Sequence, residues 1–73
     1  MNAGDRVLMA KIGNALATDR SLSTYAHRIK ITSDNGIVTL EGRVQSVNEI
    51  HSIATTAATA AGGSENVVNH LAI

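Results

Sequence analysis

The sequence predicts one small α+β domain in which two helices pack on one face of a three-stranded mixed sheet. Three observations predict it: two segments with helical periodicity, three that alternate apolar and polar residues, and an Asn-Gly turn between two of these. Only 1% of the 73 residues are aromatic, so the core must be aliphatic. We expect residues 1–73 to form a single domain, with a helix at about 5–18, strands at 28–33 and 37–44, a helix at 47–61 and a strand at 67–73.

The first helix is predicted from apolar residues that recur on one face. Leu8, Ile12, Ala15 and Leu16 are spaced by four, three and one positions, which places them on the same side of a helix. Asp5 precedes this stripe, and a carboxylate there suits the positive end of the helix dipole. We therefore expect Asp5 to be the N-cap.

The next two segments are predicted to form a hairpin. Ile29 and Ile31 alternate with polar residues, so the first strand has one buried and one solvated face. The dipeptide Asn35-Gly36 favours a two-residue turn because both residue types tolerate positive φ. The inner face of the return strand is predicted to carry Val38, Leu40, Gly42 and Val44.

The second helix is predicted from a capping box and an apolar stripe. In the box, the Ser46 hydroxyl accepts from the amide of Glu49, whose carboxylate reaches back to the N-cap amide. The glycine pair Gly62-Gly63 ends the helix. The stripe consists of Val47, Ile50, Ile53, Ala54, Ala57 and Ala61.

A third strand is predicted at the end of the chain, where alternation returns. Its inner face would carry Val67, Asn69, Leu71 and Ile73. The connection from the second strand through the second helix is expected to be right-handed, which makes the second and third strands parallel. The predicted strand order is therefore 1-2-3.

Composition argues against several classes of function. Six basic residues balance six acidic ones, whereas a general nucleic-acid binder needs a basic excess. The chain has no cysteine, and its three histidines lack metal-binding spacing, so we expect no metal. We find no nucleophile elbow or phosphate-binding loop, and we expect no cofactor and no enzymatic activity. No signal peptide or membrane-spanning run is apparent, so a cytoplasmic location is expected if Met1 is the native start.

Charge is divided unevenly within this neutral total. Residues 1–37 contain five basic and three acidic side chains, and residues 38–73 contain one and three. A basic cluster of Arg20, His27, Arg28 and Lys30 is a candidate surface for an anionic lipid or an acidic partner; a solvated strand face that resists aggregation is the alternative. A second candidate is an apolar patch on the outer sheet face, consisting of Ile37, Val68 and Ala72.

Two motifs resemble a known family. Residues 35–44 contain a turn glycine, a Val-x-Leu pair, a second glycine and a valine, and residues 63–73 contain Gly-x-x-x-Val-Val-Asn-x-Leu-x-Ile. In this order, after a helix at 5–16, they resemble the BON domain (bacterial OsmY and nodulation). Ser64 departs from the family pattern, which often has valine there. The matching motif residues are Asn35, Gly36, Val38, Leu40, Gly42, Val44, Gly63, Val67 and Leu71.

The resemblance implies a non-catalytic module of α-β-β-α-β fold, in which Gly42 leaves room for a helix against the sheet. It implies location in the periplasm or cell envelope, frequent tandem copies and a role in osmotic or envelope stress. The implied partners are an anionic phospholipid surface and a second BON domain or another domain of the parent chain.

Two alternatives remain at this point. The chain could be an accessory or ligand-sensing domain of a larger protein, because some BON proteins carry partner domains. An αββ opening is also similar to a KH-type RNA binder, but the chain lacks the Gly-x-x-Gly loop and a basic stripe, and Tyr25 is its only aromatic residue. We therefore expect no nucleic-acid partner.

Overall fold

The chain contains two helices and three strands in the order helix, strand, strand, helix, strand. The computed structural model describes residues 3–20, 22 and 28–73. The elements are α1 (Ala3–Thr18), β1 (Lys30–Asp34), β2 (Ile37–Arg43), α2 (Val47–Ala61) and β3 (Val67–Ala72), with a 3-10 turn at Ser64–Asn66. This arrangement confirms the predicted α+β class.

The sheet has the predicted order β1-β2-β3 and is mixed. β1 pairs with β2 in antiparallel fashion, with Ile31 opposite Leu40, and β2 pairs in parallel with β3, with Val38 beside Val67. Both helices contribute to one buried core on the same face of the sheet. That core consists of Ile12, Leu16, Leu22, Val38, Leu40, Val44, Ile53 and Ala57.

The first turn of α1 is tied to the β1–β2 hairpin through a buried carboxylate. Asp5 is 2% exposed and accepts hydrogen bonds from Ser33 Oγ at 2.7 Å and from the backbone N–H groups of Asn35 and Gly36, each at 3.0 Å. We call these three hydrogen bonds the Asp5 clasp. The prediction that Asp5 is the N-cap was wrong, because α1 begins at Ala3 and the carboxylate instead satisfies donors about 30 residues further along the chain.

The hairpin turn has the predicted left-handed backbone, with φ of 52° at Asn35 and 84° at Gly36. These angles suit a two-residue turn whose twist matches that of the flanking strands. The turn directs both its amide N–H groups at Asp5, so the turn and the start of α1 form one unit at this end of the domain.

Gly42 allows a close approach between β2 and the segment that enters β1. A Cβ placed there would lie 3.2 Å from Ile29 Cα, and φ is +138°. The prediction that Gly42 makes room for a helix was therefore wrong, since its close neighbour is Ile29. β1 begins at Lys30, later than predicted, because Arg28 adopts a 3-10 conformation.

The ends of α2 follow the predicted signals with one difference. Ser46 Oγ accepts from Glu49 N–H at 3.3 Å, as in a capping box. The Glu49 carboxylate accepts from Gln45 N–H at 2.8 Å, one residue before the N-cap amide that the sequence predicts. At the other end, Gly63 N–H donates to Ala58 O at 2.9 Å and satisfies a terminal carbonyl.

Five residues predicted on inner faces are exposed, and one of them is Gly42, whose contact is described above. Val47 and Ile73 are 54% and 61% exposed because they lie at the start of α2 and after the end of β3, beyond the packed layers. Ala15 lies in a groove between the helices. Asn69 is exposed, and its side-chain Oδ1 accepts a hydrogen bond from Leu71 N–H at 3.0 Å.

Candidate functional site

The candidate site is the outer face of the sheet, which we define as the face opposite the two helices. Strand alternation places every second side chain on it, and the described helices do not cover it. Most of its side chains are exposed, and the threonines are half-buried. The outer face consists of Lys30, Thr32, Asp34, Ile37, Thr39, Glu41, Arg43, Val68, His70 and Ala72.

Three residues of the predicted basic cluster are exposed at one end of the domain. Lys30 begins β1, Arg28 lies two residues before it, and Arg20 follows α1. The Asp5 clasp holds the start of α1 at the hairpin turn, so the helix ends near the opposite end of the sheet, where β1 begins. The fourth predicted residue, His27, lies outside the described residues.

Sequence reasoning missed Arg43 as a member of this cluster. Lys30 is opposite Glu41 in the antiparallel pair, so Arg43, two residues further along β2, lies at the end of the sheet where β1 begins. The sequence contains the information needed to find Arg43, because a two-residue turn at positions 35 and 36 determines which residues of the two strands face each other. We call Arg20, Arg28, Lys30 and Arg43 the basic end.

Other groups modify the electrostatics of the basic end. Glu41 is exposed, faces Lys30 across the strands and therefore offsets part of the positive potential, while His70 lies beside it on β3. α2 begins at Val47, soon after β2 ends, so the positive end of its dipole lies at the same end of the sheet. The basic end therefore combines four exposed basic side chains with two nearby carboxylates, Glu41 and Asp19, the residue before Arg20.

The predicted apolar patch is smaller than the sequence suggests. Ile37 is 41% exposed and Val68 39% exposed, and Val68 pairs with Thr39, so these two side chains are diagonal neighbours. Ala72 is on the same face but pairs with Arg43 at the basic end. The outer face thus carries Lys30 and Arg43 of the basic end at one end and Ile37 and Val68, which we call the apolar end, at the other.

The motif residues are structural. Val38, Leu40 and Val44 are buried, and Val67 and Leu71 pack against them. The remaining motif residues form the hairpin turn, the Gly42 contact and the end of α2. None of these positions presents a group suited to catalysis of an external substrate.

A groove of about 270 Å³ lies between α1 and α2, on the side of the helices. It is lined by Lys11, Ala15, Thr55, Thr56, Thr59 and Ala60. Among these, Lys11 supplies the only charge, and the threonine and alanine side chains do not form a convergent set of polar groups. We assign no ligand to it.

The described ranges contain no group of three or more His, Asp or Glu side chains that could hold a metal ion. In the same part of the chain, neither helix is long and apolar enough to cross a membrane.

The family is decided by comparison with known proteins. A family model for the BON domain matches residues 4–73, which include almost all of α1 and every other described element. The chain belongs to the BON domain family. This confirms the resemblance of the hairpin and terminal motifs. BON domains are generally non-enzymatic binding domains and are associated with envelope proteins. No curated protein matches the chain.

Proposed function

We propose that this BON domain is a non-catalytic binding module of the bacterial envelope whose basic end docks on anionic phospholipid. The observation that carries the proposal is the exposure of Lys30 and Arg43 at one end of the sheet face that the helices leave open, with exposed Arg28 two residues before Lys30. The family's association with envelope proteins supports the compartment. In that setting the module would help protect the envelope under osmotic stress.

The size of the basic end sets the strength of this interaction. Each basic side chain near an anionic membrane contributes about 1 kcal/mol, so four contribute at most about 4 kcal/mol. That corresponds to a dissociation constant of roughly 1 mM. A single copy therefore binds weakly, and linked copies would bind far more tightly through their effective concentration.

The proposal is tested by co-sedimentation with vesicles. At low salt, the domain should pellet with vesicles that contain phosphatidylglycerol and stay in solution with pure phosphatidylcholine. Raising the salt toward physiological strength should release it, because the Debye length falls to about 8 Å at 0.15 M. Absence of binding to phosphatidylglycerol at low salt would overturn the proposal.

A matched pair of double variants separates the effect of the basic end on binding from the effect of net charge. Arg28→Glu with Lys30→Glu should abolish pelleting, whereas Arg6→Glu with Lys11→Glu should retain most of it. Both pairs lower the net charge by the same amount, and all four side chains are exposed. Equal loss in the two variants would show that overall charge, rather than the outer face, determines binding.

The apolar end favours a second candidate function, docking to another BON domain. Ile37 and Val68 are adjacent and about two-fifths exposed. Two such side chains cannot supply the roughly 1,200 Å² of a stable interface, so this contact would form only between linked copies. Two copies joined by a flexible linker should show amide shift changes at the apolar end that Val68→Asp removes; identical spectra for linked and single copies would exclude it.

A further inference from the structure

The tip of the β1–β2 hairpin carries a reactive dipeptide. Asn35 is exposed and is followed by Gly36, which has no Cβ to hinder attack on the asparagine side chain. No other asparagine of the chain precedes a glycine. We propose that Asn35 is a deamidation site that the Asp5 clasp keeps closed in the folded domain.

The reaction needs only water and the chain itself. The backbone nitrogen of Gly36 loses its proton and attacks Cγ of Asn35; a C–N bond forms, ammonia leaves, and a cyclic succinimide results. Water then opens the ring at one of its two carbonyl groups, which gives aspartate or isoaspartate at position 35. The overall change is hydrolysis of a side-chain amide to a carboxylic acid and ammonia.

The clasp opposes the first step directly. Gly36 N–H donates to Asp5 Oδ1 at 3.0 Å, so the attacking nitrogen must give up this hydrogen bond before it can turn toward Asn35 Cγ. Negative charge would also develop on that nitrogen next to a carboxylate that is 2% exposed, and a like charge at short range disfavours the charged form.

The clasp also restrains the asparagine. Asn35 N–H donates to Asp5 Oδ2 at 3.0 Å, so one carboxylate holds the amide groups on both sides of the residue that would react. The same two hydrogen bonds hold the backbone in the left-handed conformation of the turn, with φ of 52° at Asn35. Opening of the clasp is therefore the step that exposes the site.

The products would prevent the clasp from forming again. Either product places a new negative charge at a residue whose amide is hydrogen-bonded to Asp5, and isoaspartate also lengthens the backbone by one carbon within a two-residue turn. Ile37 follows the turn directly, so the change would also disturb the apolar end of the outer face.

The test measures deamidation in the folded protein at mildly alkaline pH. Peptide mass spectrometry follows the gain of about one dalton that deamidation of Asn35 produces. The internal references are Asn14 and Asn48, which are exposed but are not followed by glycine. Asp5→Ala should accelerate conversion of Asn35 at least about tenfold, the change expected when a hydrogen bond to a charged group is lost.

A second variant separates loss of the clasp from general unfolding. Ile53→Val removes volume from the buried core, a cluster that includes neither Asp5 nor the turn residues, and its Asn35 should deamidate at the wild-type rate. The wild-type chain unfolded in urea gives the deamidation rate of Asn35 when the Asp5 clasp is absent. The proposal is overturned if Asp5→Ala reacts no faster than wild type, if Ile53→Val accelerates as much as Asp5→Ala, or if the folded wild type already reacts at the urea rate.

Discussion

Replacement of Asp5 by asparagine tests how much the clasp stabilises the fold. The side chain keeps its size, but it loses its charge and one of its two acceptor oxygens. In the native protein those oxygens accept from Ser33 Oγ and from the amides of Asn35 and Gly36 at 2.7–3.0 Å. In the variant, the amide NH₂ must face at least one of these groups, and one backbone donor loses its acceptor.

The expected loss follows from the number and kind of hydrogen bonds. A hydrogen bond to a charged group is worth about 1.5–3 kcal/mol, and an unsatisfied buried donor costs about 1–3 kcal/mol. Because the three bonds share one carboxylate they do not add independently, so we expect Asp5→Asn to lower the free energy of unfolding by about 2–4 kcal/mol. A chain of this length typically has about 4–11 kcal/mol in total.

Urea unfolding followed by far-ultraviolet circular dichroism measures this change. The matched control is Asp34→Asn, the same substitution at an exposed acidic residue at the end of β1, which should cost less than about 0.5 kcal/mol. If the two variants unfold at the same urea concentration, the clasp does not stabilise the fold and the reasoning is refuted. Hydrogen exchange gives an independent check, since the Asn35 and Gly36 amides should lose protection only in the Asp5 variant.

Three further substitutions test the packing by the same unfolding assay. Gly42→Ala should lower the free energy of unfolding by about 2–4 kcal/mol, because the new Cβ would lie 3.2 Å from Ile29 Cα and φ at this position is +138°. Unchanged stability would show that the fold does not need the close contact between Gly42 and Ile29. Gly13→Ala should stabilise by about 0.5–1 kcal/mol, because α1 gains helix propensity and no atom lies within 4 Å of the new Cβ; destabilisation would contradict this. Ser46→Ala should cost about 1 kcal/mol by removing the 3.3 Å bond to Glu49 N–H, and Ser46→Thr should recover most of it.

Local signals in the sequence predicted most of the architecture. The Asn35-Gly36 turn, the alternation around Leu40 and the capping serine Ser46 each act over a few residues, so their pattern can be read without knowledge of the fold. The connection through α2 led to the prediction that β2 and β3 are parallel, which the sheet confirms.

The errors arose where a residue interacts with a distant part of the chain. Asp5 has the sequence context of an N-cap, yet its partners lie 28 to 31 residues away. Gly42 was assigned to helix packing because its true neighbour, Ile29, becomes close only once the hairpin forms. Val47 continues the apolar period of α2, but periodicity does not show where the sheet beneath a helix ends.

The candidate site was predictable in part. Arg20, Arg28 and Lys30 were found because they are near one another in the sequence, and all three are exposed. Arg43 joins them only through strand pairing, which also places Glu41 opposite Lys30. The predicted apolar patch included Ala72, but Ala72 pairs with Arg43 and lies away from Ile37 and Val68. Strand register rather than proximity in sequence determines which outer-face side chains are neighbours.

The central claim, that the basic end docks on anionic phospholipid, is tested most directly by mapping the contact. Bicelles containing phosphatidylglycerol and a spin-labelled headgroup should broaden the amide signals of Arg28, Lys30 and Arg43 and leave those around Lys11 on α1 sharp. Broadening centred on α1, or none at any of these residues at low salt, would contradict it.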